Sequence, residues 1–203
     1  MYNSIELDYS FESLENFLDK KTLDIHFNVL YKGYLNRLNK ALLENNYDFE
    51  YSLEELVNHI DEFPIKSRDD ILYNLGGVMN HEKYFLFLTP NKKELRGKLL
   101  EKINETYGSF ENFKNIFKEK ALKLVGSGYT HLIMDRNNNL NIINTSNQEV
   151  PEYYGFKALI SLDLWEHAYY PTYYQNKEEY INRFFNFLDY DKINRLYEKE
   201  IQV

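Results

Sequence analysis

Cysteine is absent from the 203 residues, which excludes disulfides, zinc ribbons, thiolate-held iron–sulfur clusters and cysteine nucleophiles. Long apolar runs are missing as well. None approaches the roughly 20 residues that span a bilayer, so no membrane partner is expected. Positive charge is in deficit: 24 Lys and Arg stand against 32 Asp and Glu, a formal net charge of −8 with His neutral. General nucleic-acid binders carry the opposite balance, and no nucleic acid is expected among the partners. Met1-Tyr2-Asn3-Ser4-Ile5-Glu6 has neither a basic stretch nor an apolar one. No signal peptide is therefore expected, and the expected location is cytoplasmic. There is no Gly-x-Gly-x-x-Gly or Walker-type loop and no Gly-x-Ser-x-Gly elbow, which weighs against nucleotide and hydrolase chemistry. What is present is a composition far from disorder, 43% hydrophobic and 17% aromatic, on a chain long enough for one domain or two small lobes around a real core.

The first ninety residues read as helical. Leu14, Phe17 and Leu18, then Phe27, Leu30, Tyr31, Tyr34, Leu35, Leu38 and Leu42, recur at three- and four-residue spacings. Lys20 to Leu43 carries no proline, so one extended helix is expected there. A second should cover Arg68 to Leu88, with Asp69 and Asp70 near its positive end. Thr89-Pro90-Asn91-Lys92-Lys93 is the best internal boundary. It divides the chain into a helical N-terminal domain, 1–90, and a C-terminal domain, 91–203. Beyond it, Glu94–Tyr107 and Ser109–Leu124 read as helices. Three β-prone runs follow at Tyr129–Met134, Leu140–Asn144 and Ala158–Leu162, the first two joined by an Asn-rich turn. Helix returns from Tyr174 onward. The expected fold class is α+β: a helical N-terminal hairpin lobe, then a lobe with a small three-stranded antiparallel sheet and flanking helices.

Five histidines are the candidate soft ligands: His26, His59, His81, His131 and His167. There is no His-Glu-x-x-His, because Phe85 stands four residues after His81, and no Glu lies three residues before any His. Asp163 precedes His167 by four residues at the end of a strand. That spacing suits either one metal ion, with manganese, iron and zinc all accepting imidazole and carboxylate, or a helix cap beside an aromatic core. His26 and His81 sit in aromatic-rich helical stretches, one in each predicted helix. Packed antiparallel, those helices could bring both rings to Asp163 and His167; equally, each could be a hydrogen-bonded core histidine. His59 falls on an exposed helix, and His131 alternates with Tyr129 and Ile133 as a packing residue.

The block Asp163-Leu164-Trp165-Glu166-His167-Ala168-Tyr169-Tyr170 resembles the signature of the iron/manganese superoxide dismutases. Thr22-Leu23-Asp24-Ile25-His26, continuing through Tyr34, Leu38 and Asn39, resembles that family's first ligand helix, and Gly76-Gly77-Val78-Met79-Asn80-His81 its second. Gly126-Ser127-Gly128-Tyr129, Asn147-Gln148 and Phe187-Leu188-Asp189-Tyr190 follow in family order. The resemblance covers nearly the whole chain. It implies a superoxide dismutase that turns superoxide into O2 and hydrogen peroxide by cycling one ion per subunit between M3+ and M2+, held by His26, His81, Asp163 and His167. Gln148 matches the amide beside the metal, Tyr34 the phenol at the substrate gate, and Trp165 an apolar wall. In the family the amide comes from one of two positions. Here Gln148 supplies it and Gly77 leaves the other empty, which resembles the manganese pattern, with iron as the alternative. Glu166 matches the residue that crosses a homodimer interface to the partner's ligand His167, and Tyr170 belongs to the same interface.

The sequence departs from the family at several points. Leu30 stands where a His usually pairs with the partner's second signature Tyr, here Tyr170, so that hydrogen bond should be absent. Tyr31 replaces another customary His, Val29 a frequent Lys, and Phe85 and Tyr129 each a Trp. Lys177, Glu178 and Glu179 follow a lengthened turn where the family tends to Arg. These changes leave an active dismutase as the first expectation, and a metal-binding or interaction protein of the same fold with little turnover as the rival. An anionic substrate approaching a chain of charge −8 needs local positive charge, for which Lys32, Arg37 and Lys177 are the candidates.

Overall fold

The computed structural model describes residues 1–202. The proline-free segment forms one continuous helix in three parts: α1 (Lys20–Asp24), a π-helical stretch (Ile25–Tyr31) and α2 (Lys32–Glu44). Asp19 caps its start, accepting from the Thr22 N–H at 2.9 Å. The π stretch was not foreseen in the apolar spacing. Its wider turn brings His26 and Tyr31, five residues apart, onto the same buried side, while Ile25 and Val29 face out. Such stretches concentrate where a helix must aim a functional side chain. After α3 (Leu53–Asn58), Pro64 precedes α4 (Ile65–Leu86), which returns against α2. Every residue of α4 from Asn74 to His81 is buried, as expected of a helix packed on all sides.

The second lobe begins with α5 (Lys98–Tyr107) and α6 (Phe110–Leu122). α5 starts four residues later than the spacing predicts, because its cap, Gly97, has φ of 77°, an extended positive-φ conformation open to glycine through which the helix cannot run back. β1 (Gly128–Met134), β2 (Leu140–Ser146) and β3 (Lys157–Asp163) form a three-stranded antiparallel sheet in the order β2-β1-β3. The β1–β2 turn is closed by Asp135, whose carboxylate accepts from the Asn137 and Asn139 N–H groups at 2.8 Å each. β1 is buried along its whole length. α7 (Glu166–Tyr173), α8 (Lys177–Phe184) and α9 (Tyr190–Glu200) complete the chain. The fold is thus α+β, a helical lobe followed by a small antiparallel sheet with helices around it.

Two contacts matter for the site. α4 packs against β3, which brings the second predicted ligand helix to the end of the third strand. The register places Tyr129 opposite Asp163, so both side chains lie on one face of the sheet. A buried ion pair pins this junction: Lys83 on α4 bonds Glu152, whose side chain is 6% exposed and also accepts from the Ala158 N–H at 3.0 Å. Burial alone would raise the Glu152 carboxyl. Lys83 and the Ala158 N–H reverse that and hold it below its usual value, so its stabilisation is present above the ordinary carboxylate range and lost as pH falls through the depressed value.

Replacing Lys83 by Met leaves a buried charge without its partner and should cost about 3–5 kcal/mol in urea unfolding at neutral pH. Lys83→Met/Glu152→Leu should recover most of that loss. A single-variant cost under about 1 kcal/mol, the range of exposed pairs, would show that the pair is solvated.

Candidate metal centre

Four predicted ligands from four segments converge. His26 comes from the π stretch, His81 from α4, Asp163 from the end of β3 and His167 from the first turn of α7. One donor atom from each lies within 4.8 Å of all the others. Asp163 Oδ2 is 3.2 Å from His26 Nε2 and 3.8 Å from His167 Nε2. The His26 ring stands edge-on to those of His81 and His167, with centroids 4.9 and 4.7 Å away.

The electrostatics of this cluster ask for a cation. His26, His81 and Asp163 are fully buried. Burial pushes His26 and His81 down to about 3, with the neighbouring His26 adding to the shift at His81, and pushes His167 down to about 4. All three imidazoles are therefore neutral and able to ligate. Burial raises the Asp163 carboxyl, the mark of a carboxylate that has lost water without gaining a fixed counter-charge. His26 Nε2, His81 Nε2, Asp163 Oδ2 and His167 Nε2 are each buried with no hydrogen-bond partner. Buried polar atoms are nearly always paired, and four orphans aimed at one point fit a bound metal ion. Orientation is fixed from behind. His81 Nδ1 lies 2.5 Å from the Gly77 carbonyl, which can only accept, so Nδ1 holds the proton and Nε2 offers its lone pair. Asp163 Oδ1 accepts from the Trp165 N–H at 2.8 Å, and its main-chain carbonyl accepts from the Tyr180 hydroxyl at 2.9 Å.

Around the donors, Gln148 is 2% exposed and its Nε2 donates to the Tyr34 hydroxyl at 3.2 Å. Asn80 Nδ2 reaches the Gln148 Oε1 at 3.4 Å and so sets which end of the amide faces Tyr34. Two glycines permit this arrangement. A Cβ at Gly76 would lie 1.9 Å from the Gln148 carbonyl oxygen, and one at Gly77 would lie 2.3 Å from the Tyr34 ring. Burial, with the neighbouring Tyr73, raises the Tyr34 phenol to about 12, so it is protonated at neutral pH. Trp165 packs with its ring 5.7 Å from His167 and its indole N–H on the Asn147 carbonyl at 3.2 Å. Glu166 is exposed, Tyr170 is 49% exposed and the His167 side chain 26%.

The other two histidines lie elsewhere. His59 pairs with Glu62 at 2.6 Å and stacks on Tyr51. His131 is fully buried with both ring nitrogens taken, Nδ1 by Ser161 Oγ at 2.8 Å and Nε2 by Thr145 Oγ1 at 3.0 Å. Its role is packing, as its place in the strand suggested. Tyr129 is the group that residue spacing did not single out: its hydroxyl is fully buried, unpartnered and on the Asp163 face. The sequence marks Tyr129 only by its place in the family order, where it replaces a Trp; that it lies beside Asp163 follows from the β1–β3 register, which is invisible without the fold.

A His131→Phe protein should keep its metal content by elemental analysis while losing about 1–3 kcal/mol of stability from two unpaired hydroxyls. Loss of bound metal would show His131 to be a ligand.

Two family models match the chain. Residues 1–89 match iron/manganese superoxide dismutases, alpha-hairpin domain, and residues 95–196 match iron/manganese superoxide dismutases, C-terminal domain.

Proposed function

The chain belongs to the iron/manganese superoxide dismutase family, and from that premise we propose that it is a working superoxide dismutase with His26, His81, Asp163 and His167 as its ligands. The observation that carries this reading is the set of four buried, unpartnered donor atoms within 4.8 Å of one another. A manganese or iron ion held there supplies one-electron redox chemistry, alternating between its trivalent and divalent states. Overall, two superoxide anions and two protons become O2 and hydrogen peroxide.

The protein's own residues handle protons, water and access. Gln148 donates an amide hydrogen to the Tyr34 hydroxyl, which orients the gate phenol toward the donor cluster without the amide itself giving up a proton. Tyr34, protonated at neutral pH and 8% exposed, stands between solvent and Gln148, where a phenol both narrows the passage and relays a proton. Trp165 covers His167 and keeps the interior dry, which strengthens every charge interaction inside.

The manganese form is favoured, because Gln148 alone supplies the amide and the Tyr34 ring fills the space beside Gly77. A homodimer is proposed from Glu166. Its exposed carboxylate sits beside the partly open His167, where a second copy could bring its own carboxylate to the imidazole and fix the ring. Leu30 carries no polar atom, so no counterpart bond to Tyr170 forms across that interface. Among the described residues no helix is long and apolar enough to cross a membrane.

The test is superoxide disappearance on protein of measured metal content. About one ion per chain with a rate well above free metal is expected; full occupancy with no such rate would leave a metal-binding protein of this fold. Gln148→Ala should lower turnover about 10–100-fold, the usual cost of losing a group that supports a metal site, with ligand binding retained.

A further inference from the structure

The three candidate entrance cations are placed very differently. Lys32 Nζ is tied to Asn28 Oδ1 at 2.7 Å and lies 5.3 Å from the Phe27 ring. Lys177 lies 5.7 Å from the Tyr169 ring at the start of α8. Only Arg37 sits on the gate residue: its guanidinium carbon is 4.6 Å from the centroid of Tyr34.

Three features hold it there. Nε donates to Asn74 Oδ1 at 2.9 Å. Asn74 is 2% exposed, and its Nδ2 is spent on Asp70, at 2.8 Å to the carbonyl and 3.1 Å to the carboxylate, so only Oδ1 remains for the arginine. Gly33, one turn earlier, would place a Cβ 3.2 Å from Arg37 Nη1; without that side chain the fork lies back along α2 over the ring. Arg37 is exposed, and among the described residues its Nη1 and Nη2 have neither a hydrogen bond nor an ion pair. A fixed, permanently charged fork with its outer donors unused is built to receive an anion.

We propose that Arg37 is the anion-docking cation of this entrance. Its Nη groups take a small monovalent inorganic anion, superoxide in turnover, beside Tyr34 and release it inward. Asn74 and Gly33 are the positioning residues. The proposal rests on the dismutase reading for its substrate, and on geometry alone for the anion site.

The experiment compares metal-loaded wild type, Arg37→Gln and Arg37→Lys, all checked for metal content. The probe is azide, titrated by the visible absorption of the trivalent metal, at about 10 mM and about 500 mM ionic strength, where the screening length falls from about 30 Å to a few ångström. Arg37→Gln should weaken azide about 3–10-fold at low salt, the Coulomb effect of one charge a few ångström away in a water-like dielectric. The gap should close at high salt, and kcat/KM for superoxide should follow the same pattern. Arg37→Lys should recover part of the affinity and the salt dependence. Equal azide affinities and salt slopes for wild type and Arg37→Gln would overturn the proposal. So would an Arg37→Lys protein as weak as Arg37→Gln, since packing on Tyr34 rather than charge would then be at work. If the loaded protein has no dismutase turnover, the azide arm still decides the anion site, so the two failures are distinct.

Discussion

A carboxylate and three neutral imidazoles buried around one point, with their lone pairs unanswered, are the constraint on which the rest of the molecule depends. Leaving Asp163 Oδ2 and three ring nitrogens without partners opposes folding, because each lost its water without compensation. The chain commits its most buried elements to that arrangement. α4 is enclosed on all sides along the turns that carry His81, β3 ends at Asp163, and the π stretch turns His26 inward. A cation at the centre would convert this liability into a link between the two helices of the hairpin and the sheet, since the four candidate donors come from the π stretch, α4, β3 and α7. Metal binding at this cluster would be coupled to folding for the same reason.

The layer outside the donors is governed by close approach. Gly76 and Gly77 give up side chains so that the Gln148 backbone and the Tyr34 ring can touch α4. Once they are that close, the amide, the phenol and Asn80 fall into one hydrogen-bonded line. Tyr34 is thereby pinned on its inner side by Gln148 and on its outer side by Arg37. The Gln148–Tyr34 line is a polar route from beside the donor cluster toward the surface.

The parts of the fold that sequence reveals are those governed by local rules. Apolar spacing marks α2 and α4, turn residues mark the β1–β2 hairpin, and the strand runs are right to within one or two residues. The donors were legible only in part. Asp163 and His167 share a short segment, but His26 and His81 were equally good as core histidines until the helices were known to pack together. What brings them to Asp163 and His167 is a long-range fact, α4 against both the π stretch and β3. The π stretch could not be read, because the spacing of Phe27, Leu30, Tyr31 and Tyr34 also fits an ordinary helix. Tyr129 and Asn74 acquire meaning only through strand register and the neighbouring helix.

The acidic composition takes on a different meaning once these positions are known. At physiological ionic strength charges are screened beyond about 8 Å, so most of the carboxylates behind the net −8 do not reach the entrance. What an approaching anion feels is the charge fixed within that radius. A lysine on a flexible stem spreads its charge over many rotamers and loses entropy when it stops. An arginine held by a buried amide and an aromatic face has already lost that freedom on folding. One immobilised guanidinium at the gate can therefore outweigh a distant surplus of acid, and the net charge of the chain can drift without changing what the substrate meets.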